Sequence, residues 1–510
     1  LILVILAAHD MLNRILNILG RKRDSSGTDR PPVHHGPKVI HSPIAEDDLD
    51  PDAVKIIRRL VRYDHTAYLV GGCVRDVLLD RKPKDFDIGT SATPRQVKRV
   101  FRNCRIIGRR FRLAHIYFQD RKIIEVATFR AVSGKQEAEA AGEESPSRDL
   151  LIRDDNVFGT PEEDALRRDF TINQLFYDLV HENIIDHADG LGDLRRKFIR
   201  TIGDPEVRFR EDPIRILRAI KFAARLDFTI EEKTLQAIRS HASEIPRAAP
   251  PRVLEEIHRF FRGGAAGKSF DLLRETGVFQ VILPEFAALY EKDPRAWEVL
   301  TRLLETVDRR VADGAPTGNG EVLTLLALPL LFEQLGWSHE GTARWPRGAD
   351  IRKIVDDLIR PMALRLRVAR KDQEFCRTLI MTLFRMVPHE KARPGTRKAI
   401  PRRPCFPDAL RILHRLGEIL GNEFEEAARF WDTAGHAASP AESGRAPEET
   451  QGRRTRKRPP RQRRKGGETS RKEPPGKPAP NMPSPWSDNY FFAALPSVPE
   501  GEAEQAGPPA

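Results

Sequence analysis

Residues 68–89 read YLVGGCVRDVLLDRKPKDFDIG: an apolar run meets two glycines, then Arg75 and Asp76, and a few residues later Asp85-Phe86-Asp87. The run Ala67–Val70 predicts a short buried strand, and residues 74–79 predict a helix. A strand that turns into a helix at Gly71-Gly72 lets backbone N–H groups approach a phosphate closely, where a side chain would obstruct. The segment DFDIGT predicts a second strand. Alternation along it puts Asp85 and Asp87 on one face and sends Phe86 to the core. Two carboxylates that close repel, and the pair is tolerated where a divalent cation or a shared proton offsets the repulsion. Mg²⁺ takes few protein carboxylates and completes its shell with phosphate oxygens and water, which suits a nucleotide site. The plain alternatives are two solvated aspartates at a strand end and a tight turn with Arg75 and Asp76 paired at the surface.

Working outward, residues 52–62 predict a helix with Val54, Ile57 and Val61 on one side. Thr93-Pro94 is an N-cap followed by proline at the first helical position, opening a helix through Phe101. RIIGRRFRLAHIYF and KIIEVATFR alternate as paired strands. Glu125 on the second of these can lie beside DFD as a third acidic group, or form a cross-strand ion pair with Arg130 or Arg112. Residues 133–147 predict a mobile loop. Thr160-Pro161-Glu162-Glu163 is a capping box opening a helix that carries ALRRDFTINQLFYDL. After a short connector, Glu211 opens DPIRILRAIKFAARL, and the pattern stays helical to about Leu420, with a loop at 312–320. The expected organisation is a flexible segment over 1–50, an α+β head over 51–200 (a small sheet flanked by helices), an all-α neck over 201–265, an all-α body over 266–436, and a disordered basic tail over 437–510.

The 510 residues carry 40% apolar side chains, enough for several cores, and a formal net charge of +12. Residues 451–475 hold eleven basic and two acidic side chains, nine of the twelve net charges, among them Arg453, Arg454, Arg456, Lys457 and Arg458. A cluster of one sign without a core points to a polyanion such as RNA, neutralised without sequence readout. Cys73, Cys104, Cys376 and Cys405 are scattered, with no zinc spacing and no disulfide-rich pattern, which argues for a reducing, cytoplasmic setting. The opening LILVILAA is interrupted by His9, Asp10, Asn13 and Arg14 before it could span a bilayer, and it lacks a signal-peptide frame. Met11 reads as a candidate start. Leu12, Ile15, Leu16 and Leu19 follow helical spacing beside basic residues, which permits weak peripheral docking on a membrane.

LVGGCVRD, KDFDIGT, EVATFR, RRDFTIN and EDPIRILRAIKFAAR, in this order, resemble the bacterial class II nucleotidyltransferases, the family of CCA-adding enzymes and poly(A) polymerases. Within it, IIGRRFRLAHI (residues 106–116) and the basic tail resemble the poly(A) polymerases. The resemblance is strong over residues 67–262, and one departure is Cys73, where the family usually has a further glycine. It implies that Asp85 and Asp87 hold two Mg²⁺ ions, with Glu125 or Asp169 as the further carboxylate. It implies that Gly71, Gly72, Arg75 and Asp76 position the triphosphate and ribose of ATP, and that Arg168, Asp169 and Asn173, on the first turns of a helix, contact hydroxyl and phosphate. Asp212 and Arg215, three apart on another helix with Arg218 one turn on, are implied to read the base edge. Arg109, Arg110 and Arg112, together with the tail, are implied to contact RNA.

The activity implied is untemplated addition of AMP from ATP to RNA 3′ ends by a monomeric, Mg²⁺-dependent enzyme, with pyrophosphate released. Such chemistry is mostly positioning and charge stabilisation, so no Cys, Ser or His nucleophile set is needed, and His115 reads as structural or RNA-contacting. The rival within the family is CCA addition to tRNA. A rival of another class is a non-catalytic RNA-binding protein on the same scaffold, which intact Asp85 and Asp87 disfavour.

Overall fold

Short apolar segments, cut by glycines and aspartates, assemble here into one mixed sheet followed by helices. The computed structural model describes residues 36–108, 112–131, 157–338, 341–342, 350–387 and 394–438. Arg109, Arg110, the loop at 133–147, residues 1–35 and the basic tail, including Arg453, Arg454, Arg456, Lys457 and Arg458, lie outside the described residues.

The sheet has eight strands: β1 Lys38–His41, β2 Ala67–Val70, β3 Ile88–Thr90, β4 Cys104–Ile107, β5 Leu113–Tyr117, β6 Ile123–Thr128, β7 Phe176–Asp178 and β8 Asn183–Asp186. Their order across the sheet is β1-β8-β7-β2-β3-β6-β5-β4. Only β3 and β6 run parallel, with Ile88 level with Val126; all other neighbours are antiparallel. The expected small sheet is therefore wider at one edge. β1 lies inside the segment read as flexible, and β7 and β8 fall where a helix and a connector were expected. FYD and NIID are too short to carry a sheet-period signal, and register with β2 decides them.

Helix α1, Pro51–Arg62, is capped by the Asp50 side chain on the N–H groups of Asp52 and Ala53. Helix α2 is Gly72–Leu78, and α3, Pro94–Val100, opens with the Thr93/Gln96 capping box. α1 and α3 pack on one face of the sheet, over Ala67, Leu69, Ile88, Ile116 and Val126. On the other face Val70, Phe129, Ala165 and Phe176 form a smaller apolar cluster. The predicted capping box at Thr160 is present, yet its helix, α4, covers only Pro161–Leu166. Beyond it Phe170 bridges to Thr201, Thr171–Asn173 form one 3-10 turn, and the chain enters β7. The polar RRDFTIN run spends its hydrogen bonds on tertiary partners instead of on a helix.

α5 Gly190–Arg196 and β9 Phe198–Ile199 lead to the neck: α6 Pro205–Glu211, α7 Ile214–Leu226, β10 Thr229–Ile230, α8 Glu232–His241 and α9 Pro250–Arg262. β10 pairs with β9 and ties neck to head. α7 is buried at every residue but Arg225. The body continues as α10 Ala266–Glu275, α11 Val278–Ile282, α12 Pro284–Lys292, α13 Pro294–Ala312, α14 Asn319–Ala327, α15 Phe332–Leu335, α16 Ile351–Arg365, α17 Arg370–Met386, α18 Pro394–Ala399, α19 Phe406–Leu420 and α20 Asn422–Ala438. Among the described residues no helix is long and apolar enough to cross a membrane.

Candidate active site

Gly71 ends β2 with φ +77°, a conformation that disfavours any side chain, and its N–H donates to the Leu175 carbonyl at 3.1 Å. A Cβ here would come within 2.7 Å of Arg168 Nη1, so the glycine also makes room for a guanidinium. Arg168 is held by Asp164 (Nη2 to Oδ2, 2.9 Å) and by the Asn173 carbonyl, and it lies 5.2 Å from the Phe176 ring. Cys73 fills the first turn of α2, buried, its thiol pushed up to about 12 by burial; it is packing, not chemistry.

Arg75 and Asp76 do pair, but inside the protein and not at the surface. Arg75 is 1% exposed, donates from Nε and Nη2 to Asp76 Oδ1 and from Nη1 to Asn173 Oδ1, and lies over the Phe222 ring of α7. It sits beneath the glycine turn and braces it.

Asp85 and Asp87 precede β3 as extended, irregular chain; the hydrogen-bonded ladder proper begins at Ile88. Aspartate is a poor strand former, and here the pair occupies the open end of the strand. The Asp87 carbonyl still accepts from Val70 N–H at 3.1 Å, while Phe86 packs against the core as expected. Carrying the β3/β6 register back one residue sets Asp87 level with Glu125. Glu125 is partly buried, and burial together with the Asp85 charge pushes its carboxyl up to about 7. Its cross-strand neighbour is neither Arg112 nor Arg130 but His115, whose Nε2 lies 3.4 Å from Glu125 Oε1 and whose own pKa is lowered by burial. Arg112 is exposed beside β5.

The other candidate carboxylate, Asp169, has a different setting. It is not on a helix: its Oδ1 accepts from Phe170 N–H and Asn173 Nδ2, and its Oδ2 receives Arg218 Nε at 2.6 Å. Although burial alone would raise it, Arg218 and Asn173 hold its carboxyl down at about 2. Asp212 and Arg215 do not share a helix either, because Pro213 separates α6 from α7. Asp212 caps Ile214 N–H and receives Arg252 Nη2 at 2.8 Å, while Arg215 meets Glu211 at 3.1 Å. Asp212, Arg215 and Arg218 are all buried.

Four contributors were not singled out in the sequence. Arg208 donates at 2.6 Å to the carbonyls of Arg167 and Arg168, fastening α6 to the RRDFTIN segment. Arg252 tethers Asp212. Lys221 and Arg259 share the buried carboxylate of Glu256 at 3.0 Å each. For Lys221 a signal existed: it follows Arg218 by three on the buried stripe of α7.

Mg²⁺ can be tested against this donor set. Among the described residues no three His, Cys, Asp or Glu side chains form a ready metal cage. Asp85, Asp87 and Glu125 nevertheless bring acidic groups together where the parallel strand pair begins, and the Asp85 charge acts on Glu125. An open set of carboxylates suits an ion that keeps waters and arrives with phosphate ligands. The residues fit the ion in chemistry.

A mixed sheet whose parallel pair ends in carboxylates beside a glycine turn, with buried neck charges closing over it, has the layout of a nucleotidyltransferase head. A family model described as the poly A polymerase head domain matches residues 67–200, and one described as a probable RNA and SrmB-binding site of polymerase A matches residues 227–290. Poly(A) polymerase I of Salmonella typhi is 33% identical over 447 residues, covering 85% of this chain and 94% of its own. The CCA-adding enzyme of Lactobacillus johnsonii is 35% identical over 232 residues, 45% of this chain and 54% of its own. The crystal structure of the Bacillus stearothermophilus CCA-adding enzyme with CTP, 24% identical, shares the fold with a TM-score of 0.56 over 76% of this chain and 83% of its own. The chain belongs to the bacterial poly(A) polymerase family of class II nucleotidyltransferases.

Proposed function

We propose that this enzyme adds AMP from ATP to the 3′ end of RNA without a template, releasing pyrophosphate. The observation that carries the reading is the placement of Asp87 level with Glu125 of β6, beside the Gly71 turn, where the Asp87 carbonyl accepts from Val70 N–H at 3.1 Å. In the reaction the RNA 3′-oxygen bonds the α-phosphorus as the bond to the leaving pyrophosphate breaks. Asp85, Asp87 and Glu125 would hold the Mg²⁺ ions, whose chemistry is activation of the 3′-hydroxyl and neutralisation of the triphosphate. Asp169, neutralised by Arg218, positions the neck against the head and is not a metal ligand.

The chain supplies position. Gly71 shapes the turn, its own N–H bonded to the Leu175 carbonyl, and Gly72, the first residue of α2, offers its backbone N–H to phosphate, with the Arg168 guanidinium alongside. Asn173, Arg75 and Asp76 hold the turn. Asp212 accepts from the exocyclic amine of adenine, and Arg215 donates to a ring nitrogen, each fixed by a partner, Arg252 and Glu211. Arg112 and the basic tail draw in RNA through its phosphates, and the enzyme acts as a cytoplasmic monomer.

An extension assay with each of the four nucleotides, on a tRNA transcript and on an unrelated RNA, tests this. Long adenylate tails on both RNAs from ATP alone are expected. Addition of only a few C and A residues, confined to tRNA, would establish CCA addition instead.

A further inference from the structure

The helical body holds a second concentration of charge, far along the chain from the carboxylates. Glu321, in the first turn of α14 and 3% exposed, is shared by three guanidiniums: Arg310 of α13 at 2.9 Å, Arg415 of α19 at 3.4 Å and Arg411 of α19 at 3.9 Å. Asp408 takes a further bond from Arg411. Counting Glu418, which also acts on Arg415 and pairs with Arg309 at 3.3 Å, three carboxylates (Glu321, Asp408 and Glu418) face four guanidiniums (Arg309, Arg310, Arg411 and Arg415). Arg415 registers this: burial, with the Arg310 and Arg411 charges, outweighs Glu321 and Glu418 and brings its guanidinium down to about 10.

The donors also outnumber the acceptors. Arg415, only 5% exposed, keeps Nη2 buried without a hydrogen-bond partner, and so do Arg411 Nε and Thr317 Oγ1, the latter two residues ahead of α14. The α14 N-cap, Gly318, gives its first turn no side-chain cap, so the positive end of the helix dipole adds to the same field. Buried donors of one sign around an uncapped helix start are what an anion with several oxygens satisfies.

We propose that Arg310, Arg411 and Arg415, gathered by Glu321 at the N-terminus of α14, form a subsite for a backbone phosphate of the RNA primer, upstream of its 3′ end. This rests on the RNA-extending function proposed above. Its placement follows α9, which carries Arg252 against Asp212 near one end and Arg262 against Asn319, the first residue of α14, at the other. The ten-residue separation spans about 15 Å of helix. At the roughly 3.4 Å spacing of phosphates along a stacked strand, that is on the order of four to five nucleotides.

The test is binding of 5′-labelled oligoadenylates, 3 and about 15 nucleotides long, to the full chain across a salt series. Arg411→Gln leaves Arg310 and Arg415 to neutralise Glu321. It should weaken 15-mer binding about tenfold at low salt and reduce the salt slope by about one, with the 3-mer and ATP unaffected. Glu321→Gln, which removes the competing carboxylate, should tighten the 15-mer. Unchanged 15-mer affinity and slope in Arg411→Gln, or weaker binding in both variants, would make the cluster a structural staple and overturn the proposal. So would a loss confined to ATP, which would assign the donors to free nucleotide. If the wild-type chain fails to add AMP while the opposite shifts persist, the adenylation reading falls and the subsite stands.

Discussion

Two carboxylates of this molecule have opposite fates. Glu125, on β6 opposite His115, is buried with Asp85 for company and is pushed up to about 7; Asp169, in the seam between head and neck, has Arg218 and is held at about 2. Both are withdrawn from water. The neighbour decides: an acid beside an acid is left short of positive charge, whereas an acid beside a guanidinium is complete. On the proposed reading the strand end takes up a cation, whereas the seam has its charges paired within the protein, as Arg75 is with Asp76 and Asn173 and, inside the neck, Glu256 is with Lys221 and Arg259.

The contrast breaks most visibly at Asp85. Asp85→Asn should reduce nucleotide incorporation by roughly a thousandfold or more, about 4 kcal/mol of transition-state stabilisation, with RNA binding retained. Removing a like charge should leave the thermal midpoint unchanged or raised, which a melting curve on the same preparation reads. If incorporation survives, the strand end is not the reaction site. Asp169→Ala makes the opposite statement about the seam. Removing the carboxylate that takes the buried Arg218 Nε should cost about 3 kcal/mol in a urea titration, and a change under 1 kcal/mol would show that the pair is not structural.

Acid sharpens the comparison next. Asp169 ionises in the folded protein well below its unfolded value of 3.8. Its stabilisation is thus fully present above that value and is lost as pH falls toward 2, a contribution on the order of 2 kcal/mol. Asp164 and Glu256, also lowered, act in the same direction. Denaturation midpoints should fall from pH 5 to pH 3 in the wild type and fall less in Asp169→Asn. The smallest effect belongs to the glycine turn. Gly71→Ala forces a side chain into a positive-φ position against Arg168 and should cost about 1–2 kcal/mol while raising the KM for ATP more than it lowers kcat.

Much of this was legible before any coordinates. AYLV, the Thr93 and Thr160 caps and the β4–β6 hairpins follow from period and capping chemistry, which are local. That Glu125 can lie beside DFD follows from an adjacent strand, and the register sets Asp87 level with it, but the sequence left Glu125 and Asp169 as alternatives, and the Asp pair precedes the strand whose alternation was expected to orient it. The seam was not legible in the same way. RRDFTIN has the spacing of a helix, yet its backbone is claimed by Arg208, forty residues on, and by Thr201. For Arg75 and Asp76 the sequence offered a surface pair as the plain alternative to a nucleotide-positioning role, and nothing local announces that they are buried or that Arg75 lies over the Phe222 ring. Arg252 and Glu256 look like ordinary charges on an amphipathic helix, and only the packing of α9 against α7 buries Glu256 and brings the partly exposed Arg252 to Asp212.

The most direct test of the central claim is titration calorimetry of ATP with and without Mg²⁺, on the wild-type chain and on Asp85→Asn. If the strand-end carboxylates form a cation-dependent nucleotide site, ATP should bind the wild type with clear heat only when Mg²⁺ is present, and Asp85→Asn should lose that Mg²⁺ dependence. Equal ATP binding by both proteins, indifferent to the cation, would contradict it.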